Sequence, residues 1–419
     1  MNFFILKKPL LFALLIMCGP PSLYAYSVLT HEAIIDATWD KTIQPLLVAK
    51  YPGSTADQLK EAHAYAYGGC VAPDMGYYPF GSKDFTNLVH YVRTGDFVNA
   101  LLNESQNINE YAFALGVLCH YYADKYGHPI ATNRCVPIVY AKDRKRYGGR
   151  VTYEQDPVSH IRVEFGFDVI QTARGSYASE KYHDFIGFKV ARPVLERAFL
   201  KTYGIDINGI FKDFSLSVET FRWTVKNFMP TITKAAWAAK KSQIRKLNNN
   251  ITRRKFEYKM RKANYYHEYG QKREKTGVFP TAISVIVRVI PKVGPLRDLK
   301  IKIPGPEAEN LFIKSFDTVV IRYSLSLTEL NNKNNKYPNI DFDTGNETVS
   351  GEYNMADENY IVLLLRLKDN KFKNVDADLK ENIMKFYGRC NEKLAAKAGA
   401  AEWQQITTAL NQLNAFTTN

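Results

Sequence analysis

The sequence predicts an all-α protein. Helical periodicity dominates residues 26–234, strand-like alternation is scarce there, and 359–367 and 379–394 read as further helices. The composition, 46% hydrophobic, 13% aromatic and 23% charged, is that of a folded globular chain and excludes wholesale disorder. At 419 residues the chain can bury a large core, as one generous helical domain or as two.

Taken from the start, Lys7 and Lys8 precede an apolar run over 10–18, then Gly19-Pro20-Pro21 and a short segment ending on Ala25. This is the pattern of a secretory signal peptide over residues 1–25, too short to span a bilayer and with a small residue before the cut. Met17 stands where a lipoprotein processing site needs a small residue, which argues against lipid attachment at Cys18. Cleavage would make Tyr26 the first residue and place the protein outside the cell or in the periplasm. Losing Lys7 and Lys8 lowers the formal charge from +14 to +12, which still favours anionic surfaces such as phospholipid headgroups, cell-wall polymers or nucleic acids. Cys70, Cys119, Cys135 and Cys390 would remain, without CxxC spacing; one disulfide among the first three and buried free thiols are both open readings.

The strongest single helix signal covers 109–126, where Ala112, Leu115, Leu118 and Tyr122 form one stripe. Asn103, Ser105 and Asn107 offer capping chemistry before it, and Gly127-His128-Pro129 is expected to end it. Beyond about residue 235 the chain changes character, giving an expected boundary between an N-terminal helical domain (26–235) and a basic, mostly helical extension (236–419). Residues 234–275 carry Lys240, Lys241, Arg245, Lys246, Arg253, Arg254, Lys255, Lys259, Arg261 and Lys262, either a solvated face or a contact for an anionic membrane or polyanion. Residues 278–293 are apolar but broken by Pro280, Arg288 and Pro291, so they do not form a transmembrane helix; 331–343 reads as a long loop.

Only eight histidines occur, and seven lie before residue 185. His120 and Asp124 are four apart on a helix and share a face, with His128 four further on; His160 and Glu164 repeat the spacing. One such pair is commonly a surface ion pair or a core histidine. Two of them with His128 present the imidazole and carboxylate donors that zinc accepts. Asp74 at the end of the Gly68-Gly69-Cys70-Val71-Ala72-Pro73 loop, His90 in an apolar setting and His31 near the start complete the set. His63 has no place in it and reads as structural. Tyr65, Tyr67, Tyr77, Tyr78 and Phe80 surround the Asp74 loop and suit either a substrate wall or packing.

In this order, Tyr26, His31, Asp74, His90, His120, Asp124, His128, His160 and Glu164 resemble the zinc-dependent phospholipase C family, which includes bacterial phosphatidylcholine-hydrolysing enzymes, the catalytic domain of glycosylphosphatidylinositol-specific phospholipase D and related fungal single-strand nucleases. The family usually begins its mature chain with Trp where Tyr26 stands, and the gap from Asp124 to His128 is shorter than in the phosphatidylcholine enzymes. The resemblance implies a catalytic domain over 26–235 holding three zinc ions. One would be held by Asp74, His90, His120 and Asp124, a second by His31, Asp124 and the Tyr26 amine and carbonyl, and a third by His128, His160 and Glu164. Asp74 would also orient or deprotonate the attacking water. The activity implied is phospholipase C hydrolysis to diacylglycerol and a phosphorylated headgroup at a membrane surface. A secreted zinc-dependent nuclease or nucleotidase acting on nucleic acid is the nearest alternative, and a non-enzymatic binding protein for anionic surfaces is another; no protein partner is inferred.

Overall fold

A computed structural model describes residues 28–177, 186–256, 302–330, 336–388 and 391–417. The predicted signal peptide, Tyr26, the part of the basic stretch beyond residue 256, the apolar segment 278–293 and Cys390 lie outside them. Among the described residues the fold is all-α, as the sequence predicts: there is no strand, only an isolated bridge between Ile340 and Glu347. No described helix is long and apolar enough to cross a membrane.

Helix α1 (Val28–Thr38) is followed by a π-helical turn (Trp39–Ile43) and α2 (Gln44–Lys50). Helix α3 (Ala56–Val71) starts at a capping box in which Thr55 and Gln58 satisfy each other's backbone N–H groups, and runs into a 3₁₀ turn (Ala72–Tyr77). Helices α4 (Lys83–Tyr91) and α5 (Thr94–Glu104) lead to α6 (Ile108–Gly127), whose N-terminal N–H groups are taken by Asn107 as the capping signal predicts. The α-helix ends at Gly127, as the Gly127-His128-Pro129 signal predicts, and the chain then passes through a π-helical turn (His128–Thr132) into α7 (Asn133–Val139). Pro129 falls at the first turn of the wider coil, where its missing N–H interrupts no required bond, so the helical path continues with a shifted register.

Next come α8 (Ala141–Tyr147), α9 (Pro157–Arg174, capped by Asp156), α10 (Arg192–Tyr203), the long α11 (Phe214–Leu247) and a short α12 (Arg253–Phe256). The expected boundary near 235 therefore falls inside α11. The C-terminal part adds α13 (Pro306–Glu329), α14 (Asn354–Asp369), α15 (Ala377–Gly388) and α16 (Asn391–Ala415); residues 336–353 are free of helix, in keeping with the loop expected over 331–343, whose first residues lie outside the described ones.

Helices α3 and α6 form the central pair, and two glycines set how close they come. A Cβ on Gly69 would lie 2.0 Å from the Phe113 carbonyl, and one on Gly116 would lie 2.2 Å from that of Ala66. One core takes in Leu115, Leu118 and Tyr121 of α6 together with Val319, Tyr323, Phe342, Tyr360 and Leu364 from the C-terminal part. Apolar burial, worth about 1.5–3 kcal/mol per large side chain, thus ties both parts to the same interior. Cys70, Cys119 and Cys135 are buried free thiols, so of the two open readings the disulfide is set aside for these three.

Candidate metal centre

Each predicted ligand within the described residues arrives on an element fixed by its own local chemistry. Asp168 on α9 accepts from the Leu29 N–H (3.3 Å) and the Thr30 hydroxyl (2.7 Å), which pins the first turn of α1 and with it His31. Thr86 accepts from Gly76 N–H (2.8 Å) and donates to the Pro73 carbonyl (2.8 Å), fastening the Asp74 turn to α4. One turn later His90 Nδ1 donates to the Thr86 carbonyl (2.8 Å). His120 Nδ1 donates to the Cys70 carbonyl (3.0 Å) across the α3–α6 contact. Because a carbonyl only accepts, both imidazoles carry their proton on Nδ1 and present the Nε2 lone pair inward, as metal-binding histidines do.

Those lone pairs meet carboxylates. His90 Nε2 lies 3.2 Å from Asp74 Oδ1 and 3.8 Å from Asp124 Oδ2, and His120 Nε2 lies 3.0 Å from Asp124 Oδ2 and 3.3 Å from His90 Nε2. His31, stacked on His120 at 4.6 Å between ring centroids, approaches Asp124 Oδ1 to 3.5 Å. His128, on the π-helical turn, is 3.8 Å from Asp124 Oδ1 and 3.7 Å from Glu164 Oε1; His160 Nε2 is 2.9 Å from the same Glu164 oxygen. The structure thus brings His31, Asp74, His90, His120, Asp124, His128, His160 and Glu164 together, and none is more than 2% exposed.

Burial and mutual charge interactions shift these groups in opposite directions. Burial pushes the Asp124 carboxyl up, but the His120 and His128 imidazoles outweigh it and hold the group well below the ordinary range. Burial, with Asp124 and Asp74 nearby, pushes Glu164 well above it. Burial drives His128 down to about 3 and lowers His160, leaving both neutral and able to donate a lone pair. At His90 burial also lowers, yet Asp74 and Asp124 prevail and the net shift is upward. Both oxygens of Asp74, Asp124 and Glu164 are buried without a hydrogen bond. Burying carboxylates that have only imidazoles beside them is costly in a protein interior, and a bound cation would offset that cost by supplying the charge.

Three groups of side chains have ligand atoms that all lie within 4.8 Å of one another: His31, His120 and Asp124; Asp74, His90 and His120; and His128, His160 and Asp343. The nitrogen-and-carboxylate donor set suits zinc. Asp343 is the member of these three groups that the sequence does not single out. It sits in the predicted loop 331–343, in Asn339-Ile340-Asp341-Phe342-Asp343-Thr344-Gly345, where Asp and Gly signal a turn with equal force and no spacing links it to a histidine.

Other expectations sort out around this centre. The Tyr77 ring stands 6.4 Å from His90 and 6.3 Å from Tyr153, so it lines the site; Tyr78 packs on Phe221, and Tyr67 donates to Asp36 away from the centre. His63, which the sequence reads as structural, is stacked on Trp39 at 3.7 Å with Nε2 3.3 Å from Asp36.

Residues 30–213 match the family model described as zinc dependent phospholipase C, the family that the order of the ligands resembles. No curated protein and no solved structure matches the chain.

Proposed function

We propose that the protein is an exported zinc-dependent phosphodiester hydrolase that acts as a phospholipase C, releasing diacylglycerol and a phosphorylated headgroup from phospholipids at a membrane surface. The family match supports phospholipase C-like hydrolysis with zinc. The observation that carries the finer reading is the convergence of two inward-facing Nε2 lone pairs, on His90 and His120, with six buried carboxylate oxygens that accept no hydrogen bond.

The residues that would hold zinc are those of the three groups, with His120 common to two of them, Asp124 within 4 Å of His31, His90, His120 and His128, and Glu164 beside His128 and His160. Tyr26, outside the described residues, enters on the resemblance alone. Zinc bound there would supply Lewis acidity, polarising phosphoryl oxygens and making a water acidic enough to ionise near neutral pH. The protein's own contribution is orientation. Thr86 and the Cys70 carbonyl fix two tautomers, and Asp124 sets the spacing of His31, His90, His120 and His128 around one carboxylate. Asp74, with both oxygens free of hydrogen bonds, is placed to take a proton from an attacking water. The hydrophobic shell around the centre lowers the local dielectric and strengthens these charge interactions.

The test uses the mature chain with a sequenced N-terminus, assayed against phosphatidylcholine, phosphatidylinositol and single-stranded DNA. Three zincs per chain and diacylglycerol release that a chelator abolishes and zinc restores are expected. Rapid DNA cleavage without lipid turnover would overturn the lipid assignment, and fewer than two zincs would overturn the enzyme reading.

A further inference from the structure

Asp343 lies far outside the family-matched residues 30–213, yet it is 1% exposed and sits within the candidate centre. Its Oδ2 is occupied: it accepts from the Tyr153 N–H at 2.9 Å and from the Tyr353 hydroxyl. Its Oδ1 has no hydrogen bond and lies 3.7 Å from His128 Nδ1. One oxygen is clamped and the other is bare, which is how a carboxylate is prepared to bind a cation through a single atom.

The segment that delivers it is built into place. Thr94 accepts from the Ile340 N–H (2.9 Å) and donates to the Ile340 carbonyl (2.9 Å), and the Phe342 N–H donates to the His90 carbonyl (3.1 Å). Asn133 donates to the Asp343 carbonyl (2.7 Å), and Asp341 closes the following turn by accepting from the Thr344 N–H (2.6 Å). Gly345, with φ of 73°, passes so close to α6 that a Cβ there would lie 2.4 Å from the Lys125 carbonyl. The Phe342 ring covers His90 and His120 at 5.2 and 5.7 Å between centroids.

We infer that Asp343 is a direct zinc ligand, through Oδ1, at the site formed by His128 and His160, so that the metal centre is completed by a strap from the C-terminal part of the chain. The family-matched stretch then supplies an incomplete set of donors for the third ion. This inference rests on the reading of the cluster as a metal centre, and the experiment separates the two.

Zinc is counted in the full mature chain and in Asp343→Asn after dialysis against a weak chelator, with thermal unfolding in excess zinc as the check on folding. Three ions in the parent and two in the variant are expected. A parent without zinc would overturn the metal-centre reading itself; a parent and variant that both keep three tightly held ions would overturn only the role of Asp343 as a ligand, leaving it to orient His128. Should Asp343→Asn fail to fold, Asp343→Cys loaded with cobalt gives an independent readout. A direct ligand position produces a thiolate-to-cobalt charge-transfer band, absent from the cobalt-loaded parent, and no such band would sink the inference.

Discussion

Phe80 is held at φ of 63° with its ring 49% exposed, between the turn that carries Asp74 and the helix that carries His90. A side chain in the left-handed region costs about 1–2 kcal/mol, and leaving an aromatic ring half in water recovers little of it. The Ser217 and Thr220 hydroxyls donate to the Phe80 and Pro79 carbonyls and hold the bend from α11. Phe80→Gly and Phe80→Ala both delete the ring, but only glycine relieves the backbone. The glycine variant is expected to be about 1 kcal/mol more stable than the alanine variant in urea unfolding. Equal stabilities would show that the backbone there is unstrained. At this scale the sequence was informative where chemistry repeats at fixed spacing. His120 with Asp124 and His160 with Glu164 declare themselves because four residues on a helix return to one face. Asp343 does not, since its histidine neighbours are more than 180 residues away and nothing local distinguishes its carboxylate from that of Asp341, which serves only a turn.

The contact between α3 and α6 depends on Gly69 and Gly116, and the centre hangs on that contact. Two features of the candidate centre cross it: the Asp74 turn leaves from the end of α3, and the His120 proton is held by the Cys70 carbonyl of that helix. In Gly116→Ala the new methyl would meet the Ala66 carbonyl at 2.2 Å and the Cys70 nitrogen at 2.8 Å, backbone atoms that move only with their helix. Overpacking of this kind costs about 1–3 kcal/mol. The expected result is a loss of that size in urea unfolding, with weaker zinc binding in a chelator competition. Gly149→Ala, which meets nothing within 4 Å, should leave both measurements unchanged to within about 0.5 kcal/mol. A stable, fully zinc-loaded Gly116→Ala would mean the helices have slack that the geometry denies. The helix over 109–126 was legible from its apolar stripe and Asn cap. Its end at Gly127 was legible too, because proline cannot sustain the α-helical ladder; the π-helical turn that follows was not, since no local signal sets its register.

Across the whole molecule, the composition shift near residue 235 is real in the sequence but marks no break in the core. The Tyr323 hydroxyl donates to the Leu115 carbonyl (2.8 Å), the Tyr121 hydroxyl to that of Pro338 (2.9 Å), and Val319, Leu327, Tyr360 and Leu367 are buried in the same cluster as α4 and α6. Helical periodicity shows which face of α13 or α14 is apolar, not which helix it will cover, so this interlock could not be read before the fold was known. Uncovering only a few of these side chains, at about 2 kcal/mol each, would consume much of a typical stability of 5–15 kcal/mol. A chain of residues 26–235 is therefore expected to lose cooperative thermal unfolding and to bind no stoichiometric zinc, even though it contains nearly all of the family-like ligands. Circular dichroism melts and a zinc count on that fragment decide the matter. A sharp transition with a full complement of metal would show that the N-terminal ligands and core suffice, and would reduce the C-terminal helices to an appendage.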